Sequence, residues 1–310
     1  MSKDATSDSI PTVDLAYDIY EPSPTPQDSL FSTSSTAKGT SLHQSPGEKP
    51  PSVFIHGLFG NKSNSRAVSR ILANDTTLMR DIYCSDLRNH GHSPHSSRHD
   101  YPAMARDIEN FIEKNIGTEK GAILIGHSMG AKAAMAVSIR RPNSVKGMVS
   151  VDNAPVAHGV GSQFTSYLRA MAEIERKQVD TKRAAYDIFE RIETNSAIVN
   201  FVMTNLVKET NPTTGKPVFK FRIPVDVSTK QISRVGEWPF EATTEMVYKS
   251  PTSFISGTRS DYINDRCLPA MKAFFPHYNL EKVEAGHWVI SENMPDFITV
   301  LKEFIIRENI

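Results

Sequence analysis

Cysteine is nearly missing from this chain of 310 residues: only Cys84 and Cys267 occur, far apart. That excludes a disulfide framework or a Cys-rich metal site and fits a reducing, intracellular compartment. Net charge is missing too, because 35 Lys and Arg balance 35 Asp and Glu. Nucleic acid and anionic membrane surfaces attract a basic excess, so neither is expected as the main partner. No apolar run approaches the roughly 18 residues of a membrane-spanning helix. Arginine is absent before Arg66, whereas Asp4, Asp8, Asp14, Asp18 and Glu21 come early. A mitochondrial transit peptide is Arg-rich and poor in acids, so none is visible. Internal repeats, coiled-coil heptads and zinc-ligand spacings are absent as well. Gly126–Lys132 is only loosely like a phosphate-binding loop and lacks its spacing.

Apolar content, 39%, is a little low for a globular domain, which implies that part of the chain stays out of the core. That part is near the N-terminus. From Glu21 to Ser52, 18 of 32 residues are Ser, Thr or Pro, a composition that buries too little apolar surface to offset its ordering entropy. We read it as a surface loop or partly disordered insertion. Val13–Tyr20, just before it, alternates apolar and polar residues as a half-buried strand does. Residues 1–49 are thus expected to be one strand plus a flexible insertion.

From residue 50 onward, short apolar strands alternate with helical stretches. Ser52–Ile55, Asp81–Cys84, Ala122–Ile125, Gly147–Val151 and Thr252–Ser256 read as strands, with Ala103–Ile116 and Ala131–Arg140 among the helices. The alternation predicts an α/β architecture, a mostly parallel central sheet flanked by helices. Between Pro155 and about Glu241 the rhythm breaks: Phe164, Tyr167, Leu168, Met171 and Ile174 follow helical spacing, as do Ile198, Val202 and Leu206. These stripes read first as packing. Their position predicts a helical cap over residues 156–240, inserted between late strands of a core formed by 50–155 and 241–310.

Gly126-His127-Ser128-Met129-Gly130 is a G-x-S-x-G pentapeptide between a buried strand and a helix start. In that context it predicts a nucleophile elbow, a strained strand-to-helix turn that presents the Ser128 hydroxyl. A serine is a weak nucleophile without a base. The base is expected at His287, in Ala285-Gly286-His287-Trp288 on a loop behind the probable last strand. His127 adjoins the serine, but neighbours on an elbow point in different directions. His90, His92, His95 and His99 match no metal-ligand pattern and read as a solvated loop. Oxyanion donors are expected from the backbone N–H groups of Met129 and of Leu58, in the turn His56-Gly57-Leu58-Phe59-Gly60. Two carboxylates close suitable strands: Asp152 after Val149–Val151, and Asp261 after Gly257–Ser260. Either could hold the imidazole, and the commonest arrangement in such folds favours the later one.

Taken together, these residues resemble the α/β-hydrolase superfamily, from about residue 13 to the C-terminus. The closer similarity is to the branch with the abhydrolase-domain-eleven type, small bacterial esterases and fungal ethanol acetyltransferases. It is carried by His56-Gly57-Leu58-Phe59-Gly60, Asp86-Leu87-Arg88-Asn89-His90-Gly91, the G-x-S-x-G run, Val151-Asp152-Asn153-Ala154-Pro155, Phe221-Arg222-Ile223-Pro224 and Gly286-His287-Trp288. The resemblance implies that the acid is Asp152, with Ser260 as a supporting hydrogen-bond partner. It also implies acetyl-CoA, ethanol and short-chain esters as substrates, an acyl-serine intermediate, no metal or organic cofactor, and a mitochondrial address. A carboxylesterase or acyl-CoA thioesterase is the alternative; oligomeric state is not readable.

Overall fold

The structure, a computed structural model, describes residues 7–22 and 49–310. Most of the Ser/Thr/Pro-rich insertion, residues 23–48, lies outside the described residues. Elements follow in the order β1 (Tyr17–Tyr20), β2 (Ser52–Ile55), α1 (Arg66–Ala73), β3 (Ile82–Ser85), α2 (Tyr101–Asn115), β4 (Ala122–His127), α3 (Met129–Arg140) and β5 (Val145–Val151). Then come α4 (Ser162–Lys177), α5 (Lys182–Phe189), α6 (Ser196–Met203), β6 (Leu206–Thr210), β7 (Pro217–Phe221) and α7 (Val225–Gly236). The chain ends with β8 (Thr252–Gly257), α8 (Leu268–Phe274), β9 (Tyr278–Val283), α9 (Val289–Glu292) and α10 (Met294–Arg307).

Among the described residues, seven strands form one sheet in the order β1-β3-β2-β4-β5-β8-β9. Only β1 runs antiparallel to its neighbour; the other pairs are parallel. The central strands read as nearly unbroken apolar runs because helices cover both faces. Val53, Ile55, Leu124, Met148 and Phe254 point into one core with α2 and α3. Phe54, Ile123, Ile125, Val149 and Ile255 point into the other, against Val68 and Leu72 of α1 and Phe297, Leu301 and Phe304 of α10. No helix among the described residues is long and apolar enough to cross a membrane.

Two differences from the sequence reading have physical causes. The first strand is four residues long rather than eight, because beyond the Ala16 carbonyl, which accepts from Asp86 N–H (2.8 Å), the preceding chain is held by side chains instead of by a ladder. Val13 N–H donates to Asp107 Oδ1 (2.8 Å) and Ala16 N–H to Ser93 Oγ (2.9 Å). The stretch between β5 and β8 is not wholly helical either. β6 and β7 pair antiparallel, Leu206 opposite Phe221 and Thr210 opposite Pro217. The strand Leu-Val-Lys-Glu-Thr is largely exposed, so it carries no apolar alternation to betray it.

Candidate active site

Parallel strands end together, and ligands bind in α/β sheets outside those carboxyl ends. Here β2 leads to His56, β4 to Ser128, β5 to Asp152, β8 to Ser260 and β9 to His287. Ser128 has φ 53° and ψ −114°, a left-handed conformation that costs a non-glycine residue about 1–3 kcal/mol. The flanking glycines make the turn possible. A side chain at Gly126 would overlap the Gly130 carbonyl, and one at Gly130 would overlap the Ile55 and His56 carbonyls of the neighbouring strand.

The three predicted polar residues come together in one hydrogen-bonded chain. His287 Nδ1–H donates to Asp152 Oδ2 (2.6 Å), which leaves Nε2 to accept from the Ser128 hydroxyl (2.9 Å). Asp152 is fully buried, at φ 54°, and accepts further bonds from Gly257 N–H (3.1 Å) and the Ser260 hydroxyl. The rival carboxylate, Asp261, is exposed, while His287 Nδ1 bonds Asp152. Leu58 and Met129 line a hollow of about 30 Å³ with Ser128. Met129 is the first residue of α3, so its N–H has no acceptor within the helix, and the helix dipole favours negative charge there.

The turn His56–Gly60, from which an oxyanion donor is expected, bends at a residue other than glycine. Its left-handed residue is Phe59, at φ 61°, not Gly57 or Gly60. Gly57 is needed for space: a side chain there would come within 3.3 Å of Ser128 Cβ and 3.1 Å of the His127 ring. The histidines read as a solvated loop divide. His92 and His95 are exposed, but His90 and His99 are each 1% exposed. His90 Nε2 accepts from Phe59 N–H (3.2 Å) and His56 Nε2 from Leu87 N–H (3.0 Å), each Nδ1–H bonding a carbonyl. Burial pushes His56 down to about 4 and both His90 and His99 to about 3, so the turn is held by neutral rings. Among the described residues, no group of three metal-ligating side chains converges.

Other neighbours carried no sequence signal. His127 Nε2–H donates to the His287 carbonyl (2.8 Å), so the residue set aside on the elbow grips the loop of the other histidine. Burial and the nearby His287 hold His127 at about 4, hence neutral. The Tyr262 ring stacks on His287, with centroids 4.0 Å apart. Lys132 is buried over the Tyr101 ring, and its Nζ donates to Gly236 O (3.2 Å) and Glu237 O (3.1 Å) at the end of α7. Tyr101 Oη donates to Val235 O (2.5 Å), so α2 and α3 pin the inserted segment beside Ser128. Burial lowers Lys132 to about 8. Of the aromatic stripe, Phe164 lines the Ser128 hollow, whereas Tyr167 and Met171 are core.

A parallel sheet with a serine on a strand-to-helix elbow and a histidine behind its last strand is the plan of α/β hydrolases. The model of the α/β hydrolase fold family matches residues 50–293, and the chain belongs to that family. It is 36% identical to a probable alcohol acetyltransferase of Saccharomyces cerevisiae, over 84% of this chain and 78% of that one. Against the sn-1-specific diacylglycerol lipase ABHD11 of Xenopus tropicalis it is 32% identical, over 94% and 82%. Ethanol acetyltransferase 1 of Wickerhamomyces ciferrii is 30% identical, over 96% and 75%. A solved marine microorganism esterase has the same fold: TM-score 0.75, 24% identity, 94% of this chain and 100% of that one.

Proposed function

We propose that the protein is a serine-dependent acyltransferase that forms acetate esters from acetyl-CoA and ethanol, with hydrolysis of thioesters and esters as a side activity. The unbroken chain Asp152–His287–Ser128 on a strained elbow carries the serine acyl chemistry, and similarity to alcohol acetyltransferases supports the choice of acetyl-CoA and ethanol. His287 Nε2 takes the Ser128 proton as Oγ attacks the acyl carbonyl, and the N–H groups of Leu58 and Met129 hold the oxyanion. Collapse expels the thiolate, which takes the proton from His287, and leaves acetyl-Ser128. His287 then deprotonates the acceptor as its oxygen attacks the acetyl carbonyl, and collapse releases Ser128 Oγ, which takes that proton back from His287: ethanol gives ethyl acetate and water gives acetate. Asp152 fixes the tautomer and stabilises the imidazolium.

The hollow at Ser128, about 30 Å³, suits a short acyl group better than a fatty one. The acceptor is decided by competition. Water is in such excess that useful transfer needs about a thousandfold selection for the alcohol, roughly 4 kcal/mol of barrier difference. Phe164, which packs against Phe59 at the hollow, supplies an apolar wall for an alkyl group. The test is incubation with acetyl-CoA, with and without ethanol, quantifying free CoA and ethyl acetate, with Ser128→Ala as control. Ethyl acetate matching a substantial share of released CoA is expected. CoA release with traces of ester would make the protein a thioesterase or esterase on the same residues. Turnover by Ser128→Ala near that of the wild type would remove Ser128 as the nucleophile.

A further inference from the structure

Three hollows follow one another where the strand ends meet the inserted helices. The first, at Ser128, has Leu58 in its wall. The second, about 100 Å³, is lined by Gly57, His127, Phe201 and Trp288. The third, about 210 Å³, is lined by Asp18, Asn61, Lys62, Arg66, Thr204 and Arg222, together with His92. The same two segments thus wall successive hollows. After β2, Leu58 serves the first, Gly57, Asn64 and Ser65 the second, and Asn61–Ser63 with Arg66 the third; on the other side Phe201 of α6 serves the second and Thr204, just past its end, the third. Asn61 Nδ2 donates to Thr204 Oγ1 (3.4 Å) across the seam.

The third hollow differs in charge. The carboxylate in its lining, Asp18, is already engaged, as is its buried neighbour Asp86. Asp18 pairs with Lys62, and the buried Asp86 accepts from the backbone N–H groups of Lys62 (2.6 Å) and His92 (2.8 Å), with the His92 ring 3.7 Å away. Arg66 and Arg222 are different: among the described residues neither guanidinium has a hydrogen bond or an ion pair. Arg66 is exposed and Arg222 half-buried. Two unpaired guanidiniums on one cleft repel each other, and an anion between them removes that cost. Their planar forks match phosphate oxygens in pairs, which a lysine cannot do.

We propose that this cleft is a phosphate subsite for the carrier portion of the acyl donor. The acyl group lies at Ser128, the carrier's thiol-bearing arm runs along the apolar second hollow, and its phosphates rest between Arg66 and Arg222. The inference rests on the acyl-transfer reading of Ser128 and adds to it a place for the donor's phosphates: thioesters of a phosphorylated carrier are favoured over neutral lipid esters, which have nothing to offer the two arginines.

The test uses the full chain, as wild type and as the double variant R66Q/R222Q. Calorimetric titration with adenosine 3′,5′-bisphosphate at low salt should show binding by the wild type and at least about tenfold weaker binding by the variant. In kinetics, the ratio of kcat/KM for acetyl-CoA to kcat/KM for p-nitrophenyl acetate should fall at least about tenfold in the variant, since only the first substrate carries phosphate. No binding by the wild type, or equal binding by both proteins, overturns the subsite. So does a ratio that stays the same. A protein that hydrolyses p-nitrophenyl acetate but never acetyl-CoA would refute the donor reading separately, and the titration would still judge the cleft. Inorganic phosphate as a competitor separates a general anion site, which it would occupy equally well, from one shaped for the carrier.

Discussion

Replacing Asp152 by Asn is the sharpest probe of the site, because the carboxylate is fully buried and acts only as an acceptor. It receives three donors: His287 Nδ1–H at 2.6 Å, Gly257 N–H at 3.1 Å and the Ser260 hydroxyl. An amide has one acceptor oxygen, so its NH₂ must face at least one of them. If Oδ1 keeps Gly257, the NH₂ faces His287 and Ser260. The serine hydroxyl can rotate to accept. The imidazole can accept only by moving its proton to Nε2, which then donates to Ser128 Oγ and cannot deprotonate it. That wrong tautomer lowers kcat by about 10⁴-fold in serine triads, equivalent to about 5 kcal/mol of barrier. The fold should lose no more than about 1–3 kcal/mol, the cost of one mismatched buried polar group. The assay is steady-state hydrolysis of p-nitrophenyl acetate alongside urea unfolding, with Asp261→Asn as control. Asp261 is exposed, so its variant should stay within about twofold of the wild type, as surface substitutions usually do. An Asp152→Asn enzyme that retains a tenth of wild-type kcat, or an Asp261→Asn enzyme that loses more, would refute the tautomer argument and move the acid to Asp261.

Gly130→Ala should be damaging although it adds one methyl group, because that methyl overlaps the Ile55 and His56 carbonyls and α3 would have to move away from β2. Overpacking of this kind costs roughly 3 kcal/mol; a Tm lowered by several degrees with lost acetylation of Ser128 is expected, and an unchanged Tm would contradict the packing. Acid should destabilise the protein well above the carboxylate range. His56, His90, His99 and His127 are neutral when folded, burial holding them at about 3 to 4, yet take protons at the ordinary 6.5 once unfolded. Their contribution is complete above pH 6.5 and is lost as pH falls towards 4, by about 1.4 kcal/mol per pH unit for each histidine. Urea unfolding at pH 7.5, 6.5, 5.5 and 5.0 should show that slope; stability flat from 7.5 to 5.0 would exclude it.

What the sequence determined by itself was whatever is written in neighbouring residues. The strand–helix alternation reported the parallel sheet, because strands covered on both faces must be apolar throughout. G-x-S-x-G announced the elbow, because a serine at φ 53° tolerates no side chain two residues to either side. His287 stood out by its place behind a strand. What only the tertiary structure decided depends on which distant segments meet. Asp152 and Asp261 both follow strands, β5 and β8, that lie side by side; strand position does not rank them, and in the sequence only the resemblance carried by Val151–Pro155 points to Asp152. Asp152 turns to His287 through its left-handed backbone and is held there by Gly257 and Ser260 from the next strand. The β6–β7 hairpin escaped notice because exposed strands need no apolar alternation. His90 read as part of a solvated loop and Lys132 carried no signal; burial, and carbonyls or N–H groups brought from far along the chain, made one a prop for the turn at Phe59 and the other a pin for α7. Local sterics and periodicity are carried by the sequence, whereas a buried charge or an imidazole acquires its partner only when the chain closes around it.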